Sequence, residues 1–211
     1  MTIIGDASLW ADLFPDSLVS DILGLVVKTW QRFKKPNSRD LEVPITRRFR
    51  EELRRGKDFL ELPFTIWPES SETDPTTGKE IGRIDIRFLH GWREDVYFAF
   101  ECKRLRIPYE SRIRNNTSEY VGTDGMMCFI TGKYSKGLVS GGMIGYVMDS
   151  NVRAAIKSAK QAIDRTCTIL CLVRGTSLSS CSIIPNKKTI KETIHELPNR
   201  KFSIYHIFLA V

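Results

Sequence analysis

Two alternating runs constrain this chain more than anything else in it: IGRIDIRFLH (81–90) and VYFAFECKRL (96–105), with only GWRED (91–95) between them. Side chains of a strand point to opposite faces in turn, so two period-two runs this close fold back as an antiparallel hairpin. Ile84, Ile86 and Phe88 then share one face of the first strand, and Phe98, Phe100 and Cys102 one face of the second. A two-stranded hairpin with an apolar face is marginal in water. The rest of the chain must therefore extend the sheet and cover it.

The polar face of the hairpin carries the chemistry. Pairing the runs about Arg93 puts Asp85 opposite Glu101, with Cβ atoms ~5 Å apart. Lys103, two residues beyond Glu101, points the same way. Two carboxylates this close repel unless a cation sits between them. Oxygen ligands of this kind suit Mg²⁺, and a lysine beside them can position or help deprotonate an attacking water.

Flanking elements follow from their own signals. Residues 17–35 read as a helix closed by Pro36 and Asn37. A second runs from Asp40 or Pro44 to Arg55, with Leu41, Ile45, Phe49 and Leu53 as its stripe and Gly56 at its exit. Phe59–Trp67 reads as a strand ended by Pro68, and residues 69–80 as a polar loop. A helix is expected over Ser118–Ile130, a Gly-rich bend over Lys136–Gly142, a strand over Met143–Met148 and an amphipathic helix over Asn151–Arg165. Strands are expected over Thr168–Val173, Ser180–Ile184 and Phe202–Val211, with an optional helix before the last. An antiparallel hairpin followed by helical crossovers implies an α/β fold with a mixed central sheet flanked by helices. The expected organisation is a single domain over 1–211: an N-terminal helical extension (1–37), a core with the hairpin (38–150), and a C-terminal helix and strands completing the sheet (151–211).

Asp85, fifteen intervening residues, then Glu101-Cys102-Lys103 resembles the D-x(n)-E-x-K motif of the PD-(D/E)XK nuclease superfamily, the restriction-endonuclease-like fold. The resemblance covers roughly residues 38–150, and Ile84 stands where the family pattern has proline. It implies a Mg²⁺-dependent nuclease, with Mn²⁺ able to substitute, hydrolysing DNA phosphodiester bonds. Asp85 and Glu101 would be metal ligands and Lys103 would be catalytic. Members often carry a further glutamate on the first core helix, reaching toward the metal as a third ligand. With Leu41 at 0° and about 100° per residue, Glu42 falls at about 100° and Glu52 at about 20°, both inward, and Glu51 at about 280°, among the arginines. Glu42, whose E-V-P-I-T context resembles a family helix start, is the first choice and Glu52 the second. Small members act as dimers or beside partner subunits, as in defence, repair or transposition systems. The alternative is a non-catalytic nuclease-fold subunit, a DNA-binding or assembly scaffold.

Charge bears on the partner. The 211 residues carry 32 Lys+Arg against 25 Asp+Glu, a net charge of +7. Ten basic residues face four acidic ones between Lys28 and Arg55. Such clustering is the footprint of a polyanion binder or else a solvated basic surface. On the wheel above, Arg47, Arg50 and Arg54 fall at about 240°, 180° and 220°, an expected exposed row for phosphates. Arg104, Arg106, Arg112 and Arg114 form a second stretch.

Other classes fall away. No apolar run approaches the ~20 residues of a membrane span, and MTIIGDASLWADLFPDS has no basic leader region. Five cysteines without a CxxC pair, and His90, His195 and His206 scattered along the chain, make no zinc set. A cytoplasmic protein with reduced thiols is expected. TGKYS (131–135) lacks the upstream glycine and the hydroxyl residue of a P-loop. Gly137, Gly141 and Gly142 read as turn residues.

Overall fold

The computed structural model describes residues 14–67, 69–73 and 76–211. Residues 1–13 of the expected N-terminal extension, and Pro68, lie outside the described residues. In chain order the elements are α1 (Asp16–Arg32), α2 (Glu42–Phe59), β1 (Thr65–Trp67), β2 (Ser70–Thr73), β3 (Glu80–Ile84), β4 (Ile86–Leu89), β5 (Tyr97–Leu105), β6 (Ile107–Tyr109) and β7 (Arg112–Arg114). They continue with α3 (Thr117–Val121), α4 (Met127–Ile130), β8 (Ser140–Val147), α5 (Val152–Arg165), β9 (Ser179–Ser180), β10 (Ile190–Leu197) and β11 (Arg200–Ala210).

Seven strands form one mixed sheet in the order β1-β4-β5-β8-β11-β10-β9. β8 pairs in parallel with both β5 and β11, and the remaining pairs are antiparallel. This is the α/β architecture expected. The β4–β5 hairpin has the expected register, with Ile86 opposite Phe100 and Phe88 opposite Phe98. α1 and α2 cover one face, packing on Phe88, Phe98, Phe100, Ile144 and Tyr146; α3, α4 and α5 cover the other, over Ala99, Met143, Val147 and Phe208. With a layer on each side, β5 is buried almost throughout, as central strands of parallel sheets are. The expected single apolar face is thus corrected to two. Trp30 seals the α1 side: it stacks on Tyr146 at 5.4 Å, meets Phe49 edge-on at 5.0 Å, and donates from Nε1 to the Ala210 carbonyl at 2.7 Å.

Several boundaries differ from the sequence reading. The chain bends at Asp85, so Ile84 packs under α3–α5 while Ile86 and Phe88 pack under α1 and α2. α2 runs through Gly56 to Phe59, shortening the expected Phe59–Trp67 strand to β1. Part of the expected 69–80 loop is β2, which pairs with β3 in a separate small sheet. The expected Ser118–Ile130 helix is two short ones interrupted around Gly122 and Gly125. At both glycines a Cβ would run into backbone carbonyls of residues 118–120. Gly141 and Gly142 are not turn residues but lie inside β8, where a Cβ would overlap the rings of Phe129 and Phe100. Residues 168–173 make turns and a single bridge, Leu172 to His195, instead of a strand. The 180–184 strand shrinks to β9, and the optional helix is strand β10. All five cysteines are free, and no helix among the described residues is long and apolar enough to cross a membrane.

Candidate active site

Asp85 sits half-buried at the bend between β3 and β4. Two bonds fix it there. Its Oδ2 accepts from the Cys102 backbone N–H at 2.7 Å, and its backbone carbonyl accepts from Arg50 Nη1 at 2.9 Å. Burial pushes its carboxyl up to about 6, against the pull of Lys103 and of the Cys102 N–H.

Glu101 and Lys103 lie two apart on β5, facing the same side as the register requires. Lys103 Nζ donates to Glu101 Oε1 at 2.7 Å, to Glu42 Oε1 at 3.2 Å and to the Cys102 carbonyl at 3.1 Å. Glu101 is buried, and its second oxygen, Oε2, has no hydrogen-bond partner. Burial, then the charge of Asp85, pushes Glu101 up to about 8 in spite of the lysine. For Lys103 burial alone would lower the value, but Glu101 and Glu42 outweigh it and hold the ammonium above its ordinary range. In this arrangement Lys103 is held as a cation by its carboxylate neighbours.

Glu42 is the helix glutamate that arrives at this place. It is the first residue of α2, where a carboxylate also meets the positive end of the helix. Its Oε1 faces Lys103, and its Oε2 accepts from the Arg104 backbone N–H at 2.8 Å. Pro44 fits the same turn, where helical N–H groups have no intrahelical acceptor anyway. Glu52 is elsewhere, paired with Arg55 at 2.6 Å. Geometry explains the choice. Leu41 is 62% exposed, and the buried arc of α2 runs from Ile45 through Phe49 to Thr46 and Arg50. On the wheel that arc spans about 40° to 180°, with Glu42 inside it and Glu52 outside.

A hollow of about 350 Å³ opens over Lys103, walled by Ser118 and Glu119 of α3 and by Gly122, Thr123 and Asp124. These wall residues carry no motif in the sequence. Tyr134 was equally invisible: its hydroxyl donates to the Arg83 carbonyl at 2.7 Å and accepts from the Arg83 N–H at 3.1 Å, clamping β3 two residues before Asp85.

The expected arginine row is corrected. Of the three only Arg47 is exposed, and it pairs with Glu69 at 3.3 Å. Arg50 is buried on the Asp85 carbonyl, and Arg54 donates to the Ile66 carbonyl at 2.9 Å and to Glu51 at 2.6 Å. The back of α2 thus faces strand ends whose carbonyls need donors, not solvent. Arg104 donates to the Asp40 carbonyl at 3.0 Å. Arg106 grips Asp149 through Nε and Nη2, at 2.9 Å and 2.6 Å to Oδ2. These contacts occupy Arg50, Arg54, Arg104 and Arg106 within the fold.

The donor set fits a hard divalent cation in its chemistry. Two mutually repelling carboxylates, one with an orphaned buried oxygen, stand beside a backbone carbonyl, and all the donors are oxygen. Among the described residues no three His, Cys, Asp or Glu side chains already surround one point. The chain matches no protein-family model, no curated protein and no solved structure.

Proposed function

We propose that this chain is a Mg²⁺-dependent nuclease that hydrolyses DNA phosphodiester bonds, built on a restriction-endonuclease-like core. One observation carries the reading: Lys103, which lines the hollow, bonds Glu101 and Glu42, Asp85 bonds the Cys102 N–H next to it, and Glu101 Oε2 is left unpaired. Asp85, Glu101 and the Cys102 carbonyl would hold the ion. When bound, Mg²⁺ supplies Lewis-acid polarisation of a phosphate and a more acidic water. Lys103, freed from part of its carboxylate cage, orients the attacking water and offsets charge growing on the phosphate. Glu42 anchors Lys103 to the first turn of α2 and so fixes its aim.

The test is cleavage of plasmid and linear DNA by the purified chain. Mg²⁺ or Mn²⁺ should support cutting, and Ca²⁺, with its looser coordination, should support binding with little cutting. No metal-dependent cleavage in either substrate, together with no divalent-ion binding in the presence of DNA, removes the reading. It would leave a non-catalytic scaffold, which the closed Lys103–Glu101–Glu42 ion pairing would suit equally well as a structural feature.

A further inference from the structure

The chain leaves the sheet just beyond Lys103 to make a small separate hairpin, β6–β7, and returns to form the wall of the hollow. Its register pairs Ile107 with Arg114, Pro108 with Ile113 and Tyr109 with Arg112. Directly opposed residues of an antiparallel pair share a face. Tyr109, Arg112 and Arg114 therefore project together on one side. Tyr109 is 67% exposed, Ile113 is 42% exposed, and the Arg114 side chain is 67% exposed. Ile107 at the root packs against the α1–α2 core, and the side chains of Tyr109, Arg112, Ile113 and Arg114 beyond it belong to neither core.

A hairpin this short has little reason to stand alone in water, yet its root is rigidly fixed. Arg106 and Asn116 both take left-handed backbone angles, φ 51° and 56°, turning the chain out of the sheet and back. Arg106 is locked to Asp149, its N–H donates to the Asn115 carbonyl at 3.3 Å, and Asn116 Nδ2 donates to the Arg104 carbonyl at 3.2 Å. A rigid base under a bare, aromatic and cationic ribbon is the layout of a surface awaiting a partner. Among the described residues Arg112 makes no ion pair. The Arg114–Glu119 pair at 3.0 Å is more than half exposed on both sides, so solvent screens it.

We infer that the β6–β7 ribbon is a duplex-DNA grip: Arg112 and Arg114 hold phosphates while Tyr109 packs against the groove wall, laying the duplex across the hollow over Lys103. The inference rests on the nuclease reading for where the duplex lies. Duplex DNA is the occupant that fits. A two-stranded ribbon matches the width of the major groove, and paired guanidinium groups match phosphate. The ribbon is also continuous with the hollow's wall through Arg114 and Glu119.

The experiment measures equilibrium binding of fluorescent duplexes of unrelated sequence to the full chain, without divalent metal, across a salt series. Arg112→Ala/Arg114→Ala should weaken binding to all of them and make the log–log salt slope shallower by about 1.8, or 0.9 for each lost contact. Arg112→Gln alone should give half that change. Lys187→Ala/Lys188→Ala removes the same charge from an exposed site beyond β9, and should leave the slope as it was. All variants should melt with the wild type, since neither core is touched. A wild-type slope in the ribbon variant, an equal loss in the lysine control, a loss seen only with single strands, or no duplex binding by the wild type overturns the inference. The nuclease reading is scored separately, by Asp85-dependent cleavage. Ribbon-dependent binding without cleavage sinks that reading alone. Cleavage with ribbon-independent binding sinks the ribbon alone.

Discussion

Polar side chains of the sheet point under α3–α5 in two places, and the fold treats them in opposite ways. On β10 and β11, His195, Thr193 and His206 join Tyr120 of α3 in a chain that closes completely. The Leu170 carbonyl can only accept, so His195 Nδ1 carries a proton toward it at 2.6 Å. With both rings neutral, every other proton is then assigned. Thr193 donates to His195 Nε2, His206 Nε2 donates to Thr193, and Tyr120 donates to His206 Nδ1. On β5, Glu101 and Lys103 meet Asp85 and Glu42 with three carboxylates for one cation, and one oxygen is left without a partner. A fold able to satisfy four polar side chains in one place leaves a carboxylate oxygen short in another, as it does Ser135 Oγ and Arg200 Nε, and the one beside Asp85 and Lys103 is the one the proposed site would use.

The largest effect should separate the two groups by activity. Asp85→Ala, Glu101→Gln and Lys103→Ala should each lower cleavage about a thousandfold or more, because members of a cooperating set fail together. Their circular dichroism should stay native. Thr193→Val should cut DNA at the wild-type rate. An Asp85→Ala protein as active as wild type breaks the assignment, and an inactive, folded Thr193→Val protein breaks the contrast.

Stability should rank them the other way. Thr193→Val strips a hydroxyl that serves two buried ring nitrogens, at about 1–3 kcal/mol for each group left unpaired. A loss of about 2–4 kcal/mol in urea denaturation is expected. Glu101→Gln replaces a carboxyl that burial already pushes toward its neutral form with a neutral group of the same shape, so it should be neutral or mildly stabilising. A costly Glu101→Gln would mean that the cluster is structural after all.

The pH dependence should have opposite signs. Burial lowers His195 from 6.5 to about 4 and His206 to about 3, so the folded state binds fewer protons than the unfolded one below pH 6.5. Stability contributed by the histidines is therefore lost as pH falls through that window. Glu101 is raised from 4.5 to about 8 and Asp85 from 3.8 to about 6, so the folded state holds extra protons. Their contribution is full below those ordinary values and is lost as pH rises toward 8. Metal-free protein should be most stable between about pH 4.5 and 6.5. Glu101→Gln should flatten the alkaline limb and leave the acid limb alone. A profile that keeps rising from pH 6.5 to 8 contradicts the burial of Glu101.

How much of this was legible beforehand depends on whether the signal was local. The hairpin register was, because two period-two runs joined by five residues leave one symmetric pairing, and Asp85, Glu101 and Lys103 came with it. Helical geometry left Glu42 and Glu52 both inward, the E-V-P-I-T context put Glu42 first, and Glu52 was excluded only once Ile45–Arg50, not Leu41, proved to be the buried arc. Arg50 was misplaced because its partner, the Asp85 carbonyl, belongs to a bend that no periodicity announces. β10 was hidden by the polar alternation of IKETIHEL, whose Thr193 and His195 face inward to each other and to His206. Gly141 and Gly142 read as turns because nothing local shows the two aromatic rings that cross β8 at that point. In each failure the deciding contact came from a distant segment.

The smallest effect asks whether the two groups are independent. Tyr120 belongs to both neighbourhoods: its hydroxyl ends the histidine chain at 2.8 Å from His206 Nδ1, and its helix also carries Ser118 and Glu119 into the wall over Lys103. Tyr120→Phe removes one donor and keeps the ring, which still stacks on Phe208. His206 Nδ1 then loses its partner, at about 1 kcal/mol. That should show as a small shift in the denaturation midpoint with an unchanged slope, since no packing is lost. The ring holds α3 in place through contact and not through the hydroxyl, so the hollow keeps its wall and cleavage should stay at the wild-type rate. A cleavage loss out of proportion to that midpoint shift would join the histidine chain to the carboxylate site through α3, and the contrast between a structural group and a functional one would no longer hold.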